Sequence, residues 1–182
     1  MASPTKQAIV ASFLRLAAKK SPDKITVRDV VDDCGVNRNT FYYYFQDIYA
    51  VLEALCDDLF ASLPEEAPLD VTITQFYATL LTFAKTHQAA ARSLSLSLGF
   101  EGMERYLGTQ LEELICKRCA MAKCPIPNKL ELRLMRHAIL GIALDALRGG
   151  KTPAPSAEEL GTLLSGPNSL LPLLGGDGKD DV

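Results

Sequence analysis

One short segment groups side chains that suit contacts with nucleic acid. It holds four hydrogen-bonding residues in a row and three tyrosines just after them, namely Asn37, Arg38, Asn39, Thr40, Tyr42, Tyr43 and Tyr44. Arginine and asparagine form paired hydrogen bonds with guanine and adenine edges, and tyrosine hydroxyls can bind phosphate without reading sequence. Successive side chains on a helix are about 100° apart, so adjacent tyrosines cannot all face one core. At least one of them must meet solvent or a binding partner.

The elements around this segment predict a helix-turn-helix. Thr26 is placed to cap a first helix, which Gly35 can end in a left-handed conformation. Asn37 can cap a second helix, in which Phe41 and Phe45 are spaced to be buried together. In such a motif the N-terminus of the second helix faces the base edges of the major groove. The hydrogen-bonding residues therefore stand where base reading would occur.

Charge and helix position extend the candidate interface to the first motif helix. Thr26 and Arg28 lie at its N-terminus, where backbone N–H groups can bind phosphate. Residues 1–50 carry seven Lys and Arg against five Asp, a net +2, and the other 132 residues carry twelve against seventeen acidic groups, a net −5. The positive excess is therefore confined to the N-terminal third. The candidate DNA-binding residues are Thr26, Arg28, Asn37, Arg38, Asn39, Thr40, Tyr42, Tyr43 and Tyr44.

The segment Ile25–Leu52, ITVRDVVDDCGVNRNTFYYYFQDIYAVL, resembles the DNA-binding domain of TetR/AcrR-family transcriptional regulators. Residues 26–29 match the entry to the first motif helix, residues 35–36 the turn, and residues 40–45 the recognition helix. The stretch TFYYYFQDIYAVLEAL is especially similar to the subgroup that includes regulators of dihydroxyacetone kinase operons. The resemblance implies a sequence-specific DNA-binding regulator, usually a repressor, which binds a double-stranded operator.

Hydrophobic spacing predicts an all-α fold of about nine helices. The expected helices cover 4–20, the two motif helices, one after the Asp47 cap, and about 70–87, 88–97, 101–122, 127–148 and 157–164, the last capped by Ser156. The predicted organisation is a helix-turn-helix domain at 1–50 with its motif at about 27–46, a regulatory and dimerisation domain at 51–173, and a disordered tail at 174–182.

The resemblance also implies two roles for the C-terminal domain. The first is a pocket for a small-molecule effector, with the candidate lining Phe76, Tyr77, Phe83, His87, Met103, Tyr106 and Met135. The second is a homodimer through the last two helices, with the candidate interface Leu132, Met135, Ile139, Ile142 and Leu147. Aromatic and aliphatic residues at these spacings are also ordinary core residues, so each one alone fits that interpretation as well.

Other chemistry is weakly supported. Cys116 and Cys119 form a CxxC pattern with Cys124 five residues further on, but it lies within a helical pattern and has no second CxxC partner. His87 and His137 have no recognisable catalytic partners nearby in sequence. We therefore expect no enzyme activity, no cofactor and no bound metal. The chain shows no export signal or membrane span, which predicts a cytoplasmic protein.

One alternative function remains open at this point. Gln46 and Ile48 stand where related regulators often carry Lys or Arg, so phosphate contacts could be fewer here. A TetR-fold adaptor or co-activator that acts through a partner protein is therefore the second hypothesis.

Overall fold

The structure, a computed structural model, describes residues 3–97, 100–148 and 155–165. Regular structure in these residues is helical, with nine α-helices and one 3-10 turn at Pro22–Lys24. The α-helices are α1 (Pro4–Ala17), α2 (Val27–Cys34), α3 (Arg38–Tyr44), α4 (Ile48–Ala61), α5 (Leu69–Thr86), α6 (Gln88–Ser95), α7 (Phe100–Ala122), α8 (Lys129–Arg148) and α9 (Ala157–Ser165). The predicted all-α fold is confirmed for this part of the chain, whereas the predicted tail 174–182 lies outside it.

Local signals account for where several helices begin and end. The predicted cap of α9 is confirmed, because the Ser156 hydroxyl accepts the Glu159 N–H at 3.1 Å and the Glu159 carboxylate accepts the Ser156 N–H at 2.7 Å. This backbone hydrogen bond also lowers the pKa of Glu159. α1 ends earlier than predicted, since the N–H groups of Lys19 and Lys20 both return to the Leu16 carbonyl, at 2.9 and 3.0 Å, in a tightened last turn.

The N-terminal core joins the first four helices and part of α6. Its fully buried centre combines Ile9 and Phe13 of α1 with Val30 of α2 and Phe41 of α3. α6 adds Ala90 and Leu94 to the same core and packs directly on α1. α6 therefore supports the helix-turn-helix through α1, although it begins at Gln88, 44 residues after α3 ends at Tyr44.

α4 belongs to both cores. Val51 and Leu52 are buried against the N-terminal helices, whereas Cys56 is buried in the second core and Phe60 stacks on Phe76 of α5 with ring centroids 5.2 Å apart. The predicted division at residue 50 stays a prediction, because one continuous helix serves both cores.

The second core is formed by α5, α7, α8 and α9 with the end of α4. Tyr77 at its centre is fully buried, and its hydroxyl donates to the Pro155 carbonyl at 2.7 Å. This bond links the middle of α5 to the residues just before α9 and satisfies a polar group that burial would otherwise penalise. Helix length and hydropathy exclude a membrane-crossing helix within the described residues.

Candidate nucleic-acid interface

The first motif helix, α2, begins with a complete capping box. The Thr26 hydroxyl accepts the Asp29 N–H at 3.2 Å, and the Asp29 carboxylate accepts the Thr26 N–H at 2.7 Å. The same carboxylate pairs with Lys20 at 2.8 Å. The hydrogen bonds from Lys20 and Thr26 hold the pKa of Asp29 well below its ordinary value of 3.8. The predicted Thr26 cap is confirmed, and it fixes the end of α2 that faces outward.

The turn between α2 and α3 has the predicted left-handed residue. Gly35 has a φ of 73°, and its N–H donates to the Val31 carbonyl at 2.9 Å. Asn37 then caps α3, because its Oδ1 accepts the Thr40 N–H at 2.7 Å and the Thr40 hydroxyl at 3.0 Å. The side chains of Asn37 and Thr40 therefore stabilise the start of α3. The turn sets the orientation of α3 relative to α2.

We expect Gly35→Ala to lower the free energy of unfolding by about 1–2 kcal/mol, because a Cβ is disfavoured in the left-handed region. No atom lies within 4 Å of a Cβ built at Gly35, so conformation alone causes the loss. The matched control is Gly102→Ala in α7, where space is also open and the change should instead stabilise by up to about 1 kcal/mol. Urea denaturation of the two variants measures both changes in the free energy of unfolding. Equal changes would contradict the conclusion that the left-handed conformation of Gly35 causes the loss.

The second motif helix, α3, buries one face and exposes the other. Phe41 is fully buried and Phe45 nearly so, with ring centroids 5.8 Å apart. Arg38, Asn39 and Tyr43 are exposed on the outward side, and 81 % of Tyr43 is accessible. The tyrosine run is thus divided between solvent and protein, as its helical spacing predicts.

Arg38 is held by a tyrosine one turn along the helix. Its Nη2 donates to the Tyr42 hydroxyl at 3.2 Å, and its guanidinium carbon lies 5.6 Å from the centre of the Tyr42 ring. Cation–π contact and hydrogen bond together restrict a side chain that is otherwise flexible. Tyr42 is therefore placed to position Arg38, and it remains 47 % exposed for contacts of its own.

Tyr44 is partly buried and contacts the protein through its hydroxyl and its ring. Its hydroxyl lies 2.9 Å from the Ser3 hydroxyl, at the residue that precedes α1, and its ring packs edge-on to Tyr43 with centroids 4.9 Å apart. Sequence reasoning missed Ser3, because no local signal links residues 41 positions apart. The N-terminus of α1 is thereby joined to the C-terminal end of α3.

The positive charge of this domain is partly neutralised by its own carboxylates. Besides the Lys20 pair, Arg15 contacts Asp33 at 2.5 Å, and Arg28 pairs with Asp32 at 3.5 Å. The Arg28 and Asp32 side chains are 88 % and 68 % exposed, so this pair is weak and can open to a phosphate. Arg28 is therefore available for DNA, whereas Lys20 is committed to the α2 cap.

The predicted effector-pocket residues do not line one cavity. Phe76, Tyr77 and Met135 are core residues, because their side chains fill the space between α5 and α8. Phe83 lines a cavity of only about 30 Å³, close to the volume of one water molecule. Tyr106 is partly buried and donates to Asp57 at 2.6 Å; this hydrogen bond raises its pKa to about 12. The side chain of Met103 lies outside what the structure describes.

Two larger grooves border α6. One, of about 580 Å³, runs between α1 and the α5–α6 junction and includes His87. The other, of about 1050 Å³, lies between α5, α6, the end of α8 and the start of α9. Lys85, Arg92, Arg148 and Glu159 give the larger groove a positive balance, and neither Lys85 nor Arg92 forms an ion pair with another described residue.

The predicted dimer residues are either fully or partly buried in the structure. Met135, Ile139 and Leu147 are buried in the chain's own core, and Leu132 and Ile142 are partly buried against it. A different side of α8 is exposed as a stripe of residues spaced three or four positions apart. α9 also exposes one leucine. These exposed residues are Leu130, Leu134, Ala138, Gly141 and Leu163.

Comparison with known proteins agrees with this geometry. Residues 9–55 match the family model of bacterial regulatory proteins of the tetR family. No curated protein sequence matches the chain significantly. The solved dihydroxyacetone kinase operon activator DhaS is similar in structure, with a TM-score of 0.60, 21 % identity and 94 % of each chain covered.

Two further solved structures have the same fold. A TetR transcriptional regulator from Streptococcus agalactiae 2603V gives a TM-score of 0.56 at 25 % identity, over 86 % of this chain and 88 % of that one. A tetR-family transcriptional regulator from Streptomyces coelicolor gives 0.57 at 21 % identity, over 87 % and 78 %.

The fold is that of helix-turn-helix transcriptional regulators, a class of DNA-binding protein. More particularly, residues 9–55 match the tetR family of bacterial regulatory proteins, and the fold of the chain is similar to that of solved TetR-family regulators.

Proposed function

We propose that the protein is a homodimeric repressor that recognises a double-stranded DNA operator through α3. The observation that carries this proposal is the pair of exposed side chains Arg38 and Asn39 at the capped start of a helix whose opposite face is buried. Both side chains suit bidentate contacts with base edges. In this proposal the remaining exposed polar groups of the motif contact the sugar-phosphate backbone.

The contacts of the other candidate residues support different roles within this proposal. Tyr43 and Arg28 are exposed and suit phosphate contacts. Thr26, Asn37 and Thr40 use their side chains to cap helices, so they would contribute to DNA binding mainly through the helix ends that they fix. Tyr44 would act as an anchor between α3 and α1.

A homodimer is supported by the outer stripe of α8. Leu130 is 62 % and Leu134 51 % exposed, which is unusual for leucines one turn apart on a long helix. Ala138 and Gly141 continue the stripe, and a Cβ built at Gly141 meets no atom within 4 Å, so a second helix can approach closely there. A two-fold axis through α8 would carry two copies of α3 and so favour an inverted-repeat operator.

A small-molecule effector is best accommodated in the groove of about 1050 Å³. Its basic residues suit an anionic ligand, while Leu81 and Leu96 supply apolar surface. α6 lines this groove with Arg92 and Ser93 and also packs into the N-terminal core through Ala90 and Leu94. A ligand that moves α6 would thereby reach the DNA-binding domain without contacting it.

We expect an anionic metabolite to raise the melting temperature of the protein and weaken operator binding, since it binds the folded state selectively. Thermal-shift screening of carboxylated and phosphorylated metabolites identifies such a compound. Arg92→Ala should abolish its effect, whereas Arg105→Ala, on exposed α7 surface outside this groove, should leave it unchanged. A compound that still acts on Arg92→Ala would place the effector elsewhere.

The proposed function is tested by selecting duplexes from a random DNA library with the purified protein. Enrichment of one inverted repeat, followed by a gel shift with DNA upstream of the protein's own gene that contains it, is the expected result. A promoter carrying that sequence should be less active when the protein is present. Failure to enrich any sequence would overturn the proposal.

A second candidate function is activation through a partner protein. It is favoured by the similarity over 94 % of each chain to DhaS, an operon activator, and by the partial neutralisation of the motif's cations. Higher promoter activity with the protein present, without any enriched DNA sequence, would support it.

A further inference from the structure

The C-terminal end of α7 places two cysteines at contacting positions of a helix cap. Lys123 has a φ of 55°, its N–H donates to the Ala120 carbonyl at 3.2 Å, and the Cys124 N–H donates to the Cys119 carbonyl at 3.0 Å. These two hydrogen bonds define a Schellman motif, in which the side chains at the positions of Cys119 and Cys124 commonly touch. Here both contacting side chains are thiols.

The Cys124 thiol is in direct contact with Cys119. The Cys124 sulfur lies 3.5 Å from the Cys119 carbonyl oxygen. Burial and a hydrogen bond with Cys124 raise the pKa of the Cys119 thiol to about 11. Cys119 is 3 % exposed and Cys124 is exposed, so a solution reagent reaches one sulfur of the pair far more easily than the other.

We propose that Cys119 and Cys124 form a reversible disulfide when the protein meets a hydroperoxide. The backbone hydrogen bond of the cap already holds the two residues together, so bond formation requires little movement of the chain. This inference is independent of the DNA-binding function, because it rests on the geometry at the end of α7 alone.

The chemistry has two balanced steps. The Cys124 thiol reduces the hydroperoxide to an alcohol, or to water when the reagent is hydrogen peroxide, and becomes a sulfenic acid. The Cys119 sulfur then attacks the Cys124 sulfur, the S–S bond forms, and water leaves with the Cys119 proton. An external dithiol restores both thiols by exchange and is itself oxidised to a disulfide.

The other cysteines provide controls within the same chain. Cys116 lies one helical turn before Cys119 and is partly exposed, so it is the main competitor for the same partner. Cys56 is buried in the second core, where burial raises its pKa to about 12, and Cys34 lies in α2.

The experiment is peptide mapping of the full-length reduced protein after hydrogen peroxide treatment. Trypsin cleaves after Lys117, Arg118 and Lys123, so it places Cys116, Cys119 and Cys124 on three different peptides. We expect one dominant cross-linked pair, residues 119–123 joined to residues 124–129, which disappears after dithiothreitol treatment.

Variants and alternative products decide the assignment. Cys116→Ser should retain the cross-link, whereas Cys119→Ser should lose it and leave over-oxidised Cys124, with circular dichroism verifying that both remain helical. A dominant link between Cys116 and Cys119, a link between two chains, or peroxide-treated wild type that carries only sulfinic acid at Cys124 would each overturn the proposal.

Discussion

Arg38→Ala should weaken operator binding by about 1–3 kcal/mol, or about 5- to 150-fold, and relax the preference at one base pair in each half-site. The reason is that Arg38 stands at the first position of α3, is exposed, and is already oriented by Tyr42. Fluorescence anisotropy on the selected operator and on a scrambled duplex measures the change. Affinity for the scrambled duplex should change much less.

Two neighbouring substitutions separate base reading from other contributions. Arg28→Ala removes a cation from α2 that suits phosphate, so operator and scrambled duplex should weaken alike and the salt dependence should become shallower. Tyr42→Phe removes the hydroxyl that accepts from Arg38, so its smaller loss should appear at the same base pair as that of Arg38→Ala. If Arg38→Ala leaves both affinities unchanged, α3 is not the reading helix.

Leu134→Arg should convert a dimer into monomers and reduce operator affinity by more than about 100-fold. A two-fold interface contains each substituted position twice, so two guanidinium groups would have to lose water on the same face. Sedimentation velocity gives the oligomeric state, and anisotropy on the operator gives the affinity. The loss of affinity follows because each monomer engages only one half-site.

The control for this variant is Val71→Arg on α5, where a comparable fraction of an apolar side chain, 47 % against 51 % for Leu134, is exposed. It should remain a dimer and bind the operator normally. A dimeric Leu134→Arg protein would exclude the exposed stripe of α8 as the interface.

Sequence alone predicted the helix-turn-helix well because its determinants are local. Thr26, Gly35 and Asn37 act on backbone groups within four residues of themselves, so residue type and spacing are sufficient. The contact between Tyr44 and Ser3 depends instead on how α1 and α3 are placed in the fold. The residues next to either position in the sequence do not indicate it.

The C-terminal helices show a different limit. α8 has apolar residues on more than one face, and the helical repeat does not say which face meets the chain's own core. The pattern predicts Met135 and Ile139 in a dimer interface, but they are buried in the chain's own core, while Leu130 and Leu134 face outward. For the same reason Phe76 and Tyr77 fit a pocket or a core equally well by pattern, and packing decides for the core.

The end of α7 was unpredictable for a third reason. Glycine is the usual signal of a left-handed helix cap, and here the left-handed residue is Lys123. In the sequence, Cys116 and Cys119 form a CxxC pattern, and Cys124 shows no relation to them. In the structure, it is Cys119 and Cys124 that are in contact.

Because α4 and α6 both contribute to the N-terminal core, the DNA-binding domain is not a module that can be exchanged at a single junction. A chimera that replaces residues 1–50 with those of another regulator would set foreign side chains against Val51, Leu52, Ala90 and Leu94, which were selected for Phe13 and its neighbours. Engineering a new operator specificity into this protein is therefore better done by substitutions on the exposed side of α3, or by transplanting the matching surfaces of α4 and α6 together with α1, α2 and α3.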